Sequence, residues 1–447
     1  MATKGQAASK LDYYNLWEYL FGVYNKDVRP VNDDEKITVV YAAFSLFSIV
    51  EMDEQAQRMK TNGLLKMSWY DDYLSWNEEN FGNISSILVK QSYVWLPDLV
   101  VENTVTTQTQ LGYSNLQVRI TSEGFISWQL SEIFETSCNM DVTYYPFDTQ
   151  VCFIKFTSAM STREELYILI FTKEPIDMNN FYPDGVWEVV NTSARDQQME
   201  NQSVEDEKAR IVFSLQLKRR PAFYVLNIIL PVVLLAMTSS LVFALPAESG
   251  EKMSLSITVL LAFAVYLTLL TDAMPKTSVQ VSVLMVYVIL LMALTAFSVI
   301  LSVPLLGLHH RPTSKPLGKK TTQIILFLQK IMCKAEDRWR PAKPDDKMSF
   351  EDDDNIAIVG ERKKQKNKLN VVVPYDERQE ADDSRCGSAS SVRSSTEVTV
   401  VSSQLAAEML TTLLFFVFLF LVVISTIICA VVLVVGGSRQ EESTRLT

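Results

Sequence analysis

One apolar segment of the 447-residue chain carries Glu251, Ser254, Thr258, Leu261, Val265, Leu269 and Asp272 at steps of three or four residues, which keep all seven on a single helical face. That face is acidic at both ends, hydroxylated in its inner half and apolar in the middle. A single lipid-facing helix has no use for this order. A ring of such helices would enclose a lumen with two carboxylate rings, a hydroxyl-lined narrow part and an apolar constriction at Leu261 and Val265. Carboxylate rings favour cations, and apolar constrictions close by losing their water. Capping and packing call for the same residue types in an ordinary membrane helix, so on the residues alone both readings stand.

Other reactive side chains are few. Five cysteines are present. Cys138 and Cys152 lie in the hydrophilic front half with 13 residues between them, Cys333 and Cys386 in a later hydrophilic stretch, and Cys429 in the last apolar window. The first pair could form a disulfide, which belongs to an oxidising compartment, or stay as two buried thiols. Asn83, Asn191 and Asn201 begin Asn-x-Ser/Thr acceptor sites, each weak by itself. The two histidines, His309 and His310, sit side by side at a membrane edge, and no group of residues has metal-ligand spacing. The expectation is a non-enzyme without metal or cofactor.

The elements that must position these residues follow from charge and hydropathy. Four windows are almost free of charge: 221–245, 253–271, 277–308 and 409–435. Crossing a bilayer takes about 20 apolar residues, so the chain reads as a membrane protein with four spans. A soluble enzyme, a secreted binding module and a peripheral membrane protein are excluded. Residues 1–217 hold 16 basic and 31 acidic residues, a balance that attracts cations and gives nucleic acid no foothold. Between Ile37 and Leu217 short β-type runs such as ITVVYAAFSLFSIV, QVCFIKF and IVFSLQL alternate with turns such as TNG, SEG and YPDG, the pattern of an antiparallel sandwich. Before it, 11–24 reads as a short amphipathic helix. After the third span, 321–333 reads as an amphipathic stretch, and 341–400, with its EDDD and RKKQKNK runs, as largely disordered. The loop 309–406 carries 18 basic residues, in keeping with a cytosolic position. Residues 1–10 lack an apolar core, so no secretory signal peptide is visible, and the chain is expected to be a mature or engineered form.

Tyr145-Pro146-Phe147-Asp148 sits between Cys138 and Cys152, and this segment closely resembles the signature loop of the Cys-loop pentameric ligand-gated ion channels. Trp69-x-Asp71-x-x-Leu74-x-Trp76, Trp95-Leu96-Pro97-Asp98, Gly185-Val186-Trp187, Arg220-Pro221 and Pro275-x-Thr277-Ser278 resemble further motifs of that family, in its order and spacing. The match runs from about residue 11 to 435 outside the cytosolic loop, and it is nearest the cation-selective nicotinic and serotonin-type branch.

The resemblance implies an extracellular antiparallel β-sandwich on a four-helix transmembrane domain, in a ring-shaped homo- or hetero-pentamer. The implied divisions are a sandwich with its N-terminal helix over 1–220, three spans over 221–308 with the pore-lining one at 252–272, a cytosolic loop over 309–407, a fourth span over 408–436 and an extracellular tail over 437–447. It implies a Cys138–Cys152 disulfide, glycosylation at Asn83, Asn191 and Asn201, and a plasma-membrane location with both termini outside. It implies coupling of the sandwich to the membrane through Tyr145, Pro146, Phe147, Asp148, Arg220 and Pro275. The implied partners are four further subunits, foremost copies of this chain, then membrane lipid, monovalent cations and a small-molecule agonist, with no nucleic acid. A subunit that conducts only beside other subunits is the alternative. Anion-conducting relatives carry a Pro-Ala-Arg-type sequence at the inner mouth, where this chain has Ser249-Gly250-Glu251-Lys252. Lys252 is expected about 100° round the helix from Glu251, off the lumen.

The amine site departs from the family's pattern. Nicotinic receptors hold their ligand among aromatic faces. The corresponding positions here are Glu102, Ala159 and Leu64, and the 191–210 hairpin has no aromatic and no cysteine. The expectation is a degenerate ligand site, unless Tyr167, Phe181, Tyr182 or Trp187 supply the rings from shifted positions.

Overall fold

The computed structural model describes residues 8–171, 174, 176–196, 208–246, 250–275, 280–310 and 403–446. Asn201, Thr277, Ser278, Cys333, Cys386, the 321–333 stretch and the 341–400 segment lie outside them.

A short helix α1 (Lys10–Phe21) opens the sandwich, started by a capping box in which Ser9 and Asp12 satisfy each other's backbone N–H groups. Only Leu16 and Leu20 of its apolar stripe are buried. Among the described residues ten strands follow: β1 (Thr38–Asp53), β2 (Arg58–Tyr70), β3 (Ser86–Lys90), β4 (Leu99–Val101), β5 (Gln117–Thr121), β6 (Phe125–Ser137), β7 (Thr149–Thr162), β8 (Leu166–Ile170), β9 (Trp187–Asp196) and β10 (Lys208–Arg219). They form a six-stranded sheet, β3-β5-β6-β2-β1-β8, and a four-stranded sheet, β4-β7-β10-β9. Period-2 alternation decides what lies between them. In β2 the buried positions are Met59, Thr61, Gly63, Leu65, Met67 and Trp69; in β10 they include Ile211, Phe213, Leu215, Leu217 and Arg219. Phe44, Phe134, Phe156 and Phe213 meet in the middle with ring centroids 5.3–6.5 Å apart. Gly63 is what lets Phe44 in, because a Cβ there would lie 2.4 Å from its ring.

One pairing departs from the antiparallel expectation. β8 runs parallel to β1, with Thr38 opposite Leu166. The chain changes sheets between β7 and β8, so no hairpin sets the direction of β8 against β1.

Among the described residues, the membrane half has four helices long and apolar enough to cross a bilayer. They are α2 (Ala222–Leu241), α3 (Glu251–Asp272), α4 (Val283–His309) and α5 (Ser403–Leu446). A π turn at Val225–Ile229 in α2 ends just before Pro231, which has no N–H to offer the ladder. Val232, Phe263, Leu284, Val422 and Leu433 share a core with Val142 and Tyr145 of the loop above them. A hydrogen bond of 2.7 Å between the Tyr287 and Thr426 hydroxyls ties α4 to α5.

The last helix is longer than its apolar window. It continues through Gly436 and Gly437 and the stretch expected as a tail, up to Leu446. A Cβ at Gly436 would lie 2.0 Å from the Tyr144 ring, and one at Gly437 would lie 2.4 Å from the Phe147 carbonyl oxygen. Beyond them, Gln440 accepts from the Thr149 N–H, Thr444 bonds Gln216 at 2.6 Å and Glu441 pairs with Lys218 at 2.8 Å. The helix therefore rests on the sandwich itself.

Candidate functional site

On α3, Glu251, Ser254, Thr258, Leu261, Val265, Leu269 and Asp272 are all exposed. Leu261 is 63% and Leu269 60% exposed. The opposite side, with Lys252, Ser256, Val259, Phe263 and Leu270, is buried. The Thr258 hydroxyl donates to the Ser254 carbonyl at 2.8 Å, leaving its oxygen lone pairs outward. Lys252 lies on the buried side, 4% exposed, with its ammonium 5.6 Å from the Phe243 ring centre. One 100° helical step thus separates the charge of Glu251 from that of Lys252.

A second constellation joins the sandwich to the membrane. Cys138 and Cys152 are bonded, with Cα atoms 5.1 Å apart. The loop they close presents Asp148, fully buried, to Arg219, whose side chain is also fully buried. The guanidinium grips both carboxylate oxygens, Nε to Oδ1 at 2.8 Å and Nη2 to Oδ2 at 3.1 Å. It also reaches Glu54 at 2.7 Å and the Tyr224 hydroxyl at 3.3 Å. Three rings surround it, with centroids at 4.2 Å (Trp187), 4.8 Å (Tyr145) and 5.2 Å (Tyr224). Burial alone would lower the arginine's pKa, but the carboxylates of Asp148 and Glu54 outweigh it and hold the charge in place. Since Tyr224 lies in the first turn of α2, a sandwich residue holds a membrane helix directly.

The arginine that faces inward is therefore Arg219 and not Arg220. Arg220 is exposed, and its backbone N–H donates to the Val186 carbonyl at 2.8 Å. The signal was present in the sequence: inward positions of β10 fall on odd numbers, so 219 follows 217 inside. Tyr145, Pro146 and Asp148 are buried and Phe147 half-buried, while the Thr143 carbonyl accepts from the Val283 N–H at 3.0 Å at the head of α4. Pro275 is half-buried just beyond α3.

The expected ligand position is built of charges. Asp98 of the Trp-Leu-Pro-Asp turn accepts from the Ser158 and Ser161 hydroxyls and from the N–H groups of Met160 and Ser161, all between 2.7 and 3.1 Å, which fixes the end of β7. On that end, the Ala159 carbonyl accepts from the Lys208 ammonium. Glu102, just past β4, pairs with Arg210 at 2.9 Å. Leu64 lies on β2 in the other sheet, opposite Ser45 and Ser131, and does not join Glu102 and Ala159 within one chain. Of the alternative aromatics, Trp187 is buried under Arg219, Phe181 packs on the core and Tyr182 is 76% exposed, while Tyr167 is half-buried in β8. Among the acceptor sites, Asn83 is exposed in a left-handed turn at φ 60° and Asn191 is exposed in β9. No group of histidine, cysteine and acidic residues among the described residues could hold a metal.

Residues 13–221 match the neurotransmitter-gated ion-channel ligand binding domain, and residues 228–412 match the neurotransmitter-gated ion-channel transmembrane region. The chain is 33% identical over 323 residues to acetylcholine receptor subunit delta of Xenopus laevis, covering 69% of this chain and 61% of that one. It is 33% identical over 299 residues to neuronal acetylcholine receptor subunit alpha-2 of Gallus gallus, covering 67% and 56%. Against neuronal acetylcholine receptor subunit beta-3 of Rattus norvegicus it is 33% identical over 350 residues, covering 77% and 73%. It thus spans about three fifths of the length of the first two.

Proposed function

The chain belongs to the neurotransmitter-gated ion-channel family, in its nicotinic branch, and on that premise we propose that it is a subunit of a pentameric, cation-conducting channel whose extracellular agonist is not held by an aromatic cage. The sandwich stands outside the plasma membrane and four helices cross it. The observation that carries the reading is the exposed stripe of α3. Carboxylates and hydroxyls on a membrane helix need a water-filled lumen or polar partners, and the stripe is turned away from its own bundle. Five copies around one axis would place Glu251 and Asp272 as rings at the two mouths and Leu261 and Val265 as the constriction between them.

The test is a particle count joined to a current recording. Images of the protein in mild detergent should contain five subunits around one axis; monomers, dimers or tetramers overturn the proposal. In patches, Glu251→Gln should lower cation conductance, and Asp272→Asn should lower it less, because the outer mouth is wider and better screened. Leu261→Ser should ease opening or cause leak.

A second reading has its own observation. With Lys208 on the Ala159 carbonyl and Arg210 on Glu102, the position is already filled by cations of the chain itself. A subunit of this kind would serve beside others that bind the agonist, and several relatives are named as subunits of acetylcholine receptors. Expression alone, then with a nicotinic partner subunit, separates the two: current only on co-expression favours the second.

A further inference from the structure

Where the Cys138–Cys152 loop runs into β7, three consecutive residues lead to three different membrane helices. Asp148 holds Arg219, which reaches the Tyr224 hydroxyl at the start of α2. The Thr149 N–H donates to the Gln440 side chain of α5 at 3.4 Å. Gln150 leads to the third. It is 2% exposed, and its amide is bonded at both ends. Its Oε1 accepts from the Asp141 N–H at 2.8 Å, while its Nε2 donates to the Asp141 carbonyl at 2.8 Å and to Asp148 Oδ2 at 2.5 Å. An N–H admits only an acceptor and a carbonyl only a donor, so Asp141 fixes which way this amide faces.

Asp141 carries the connection onward. Its Oδ1 accepts from the Thr143 N–H at 2.9 Å and from the Thr143 hydroxyl at 2.6 Å. The Thr143 carbonyl in turn accepts from the N–H of Val283, the first residue of α4, at 3.0 Å. A hydrogen-bonded path thus runs from the buried guanidinium of Arg219 through Asp148, Gln150, Asp141 and Thr143 to the head of α4. Gln150 joins the two limbs of the loop, Asp141 on the outgoing limb and Asp148 on the returning one. Among the described residues, the side-chain hydrogen bonds of Asp148 go to Arg219 and Gln150 alone, so Asp148 does not reach Asp141 or Thr143 by itself. Removing the amide would leave the N–H and carbonyl of Asp141 without these partners beside a buried carboxylate.

We propose that Gln150 is a positioning residue of the gating machinery, which sets the head of α4 according to the placement of Arg219. α4 follows the pore-lining α3 in the chain, so a shift at its head bears on the outer end of the pore. The role in gating rests on the proposed channel function, whereas the bonded path can be measured without current.

Hydrogen–deuterium exchange of the intact purified assembly, read at the Val283 amide and along the β7–β10 ladder beyond Cys152, tests the path. Gln150→Met keeps the volume and removes both ends of the amide. Val283 should then exchange about fivefold faster, the worth of one hydrogen bond, while the ladder keeps its protection. Asp141→Ala cuts the path at a half-buried residue and should act alike, so it decides the matter should Gln150→Met fail to assemble. Asp141→Asn, which keeps an acceptor for Thr143, should leave Val283 protected. A relay differs from a mere brace in one more readout. Glu54→Gln disturbs Arg219 from its other side, and it should speed Val283 exchange in the unaltered protein but not in Gln150→Met. The same dependence should hold for the leak current of Leu261→Ser, which Glu54→Gln should change only while Gln150 is present. A Leu261→Ser variant that carries no current counts against the channel reading and leaves the exchange result to judge the path. Unchanged Val283 exchange in Gln150→Met and Asp141→Ala, loss of ladder protection along with that of Val283, or an effect of Glu54→Gln that survives Gln150→Met overturns the proposal.

Discussion

Two places in the molecule could receive a cation among aromatic rings, and only one has the rings. At the base of the sandwich, Arg219 lies between Trp187, Tyr145 and Tyr224, with Asp148 and Glu54 neutralising it. On the flank, where a nicotinic ligand site is expected, Glu102, Arg210, Lys208 and Ala159 form polar contacts with no ring among them. The first place holds a cation that is covalently part of the chain. The second holds partly exposed charges, which water screens. The difference is one of solvation: the ion that holds the sandwich to the membrane helix is desolvated and permanent, whereas the charges of the flank stay partly in water.

The comparison breaks most readily at the base. Arg219→Leu leaves the buried Asp148 carboxylate without its cation and should cost about 3–5 kcal/mol, read as a lowered unfolding midpoint and loss of surface expression. Arg220→Ala, one residue along and exposed, should stay within about 0.5 kcal/mol of the unaltered protein. Equal effects of the two would mean that the Arg219 box is not the joint. On the flank the expected effect is on ligand rather than fold. Each cation–π contact contributes about 0.5–2 kcal/mol, so a cage without its aromatics should bind acetylcholine or serotonin on the order of 10³-fold more weakly. A robust current at micromolar dose of either amine, on cells with confirmed surface expression, would place the cage elsewhere. The smallest effect is that of Glu102→Gln. Its ion pair with Arg210 is 31–43% exposed, so its loss should cost less than about 1 kcal/mol and be hidden by salt. A larger loss at the melting midpoint would turn the flank into a second structural joint.

Much of this was legible in the sequence because it depends on period. Charge-free windows gave the four helices, alternation gave the strands, and steps of three and four gave the α3 stripe, whose seven residues are all exposed. What was missed depends on contacts between distant segments. The parallel β1–β8 pair follows from a change of sheet that no local pattern marks. The continuation of α5 through Gly436-Gly437 runs against glycine's habit of ending helices, and it is explained by Tyr144 and Phe147 occupying the space a side chain would take. The inward position of Arg219 is different in kind. The alternation of β10 carries it, whereas the family motif points to Arg220.

The seat of α5 on the sandwich also has a consequence for the order of events in the making of the chain. Gln216 and Thr444 are 228 residues apart, yet they share a hydrogen bond. At synthesis rates of about 5–20 residues per second, the strand waits on the order of ten seconds or more for its partner. During that wait the membrane-facing side of the Cys138–Cys152 loop at Tyr144 and Phe147 lacks its partner. It is covered only when the final helix has threaded the bilayer and arrived beneath it. A nascent subunit therefore carries an open mark of incompleteness on its luminal side until translation has passed residue 444.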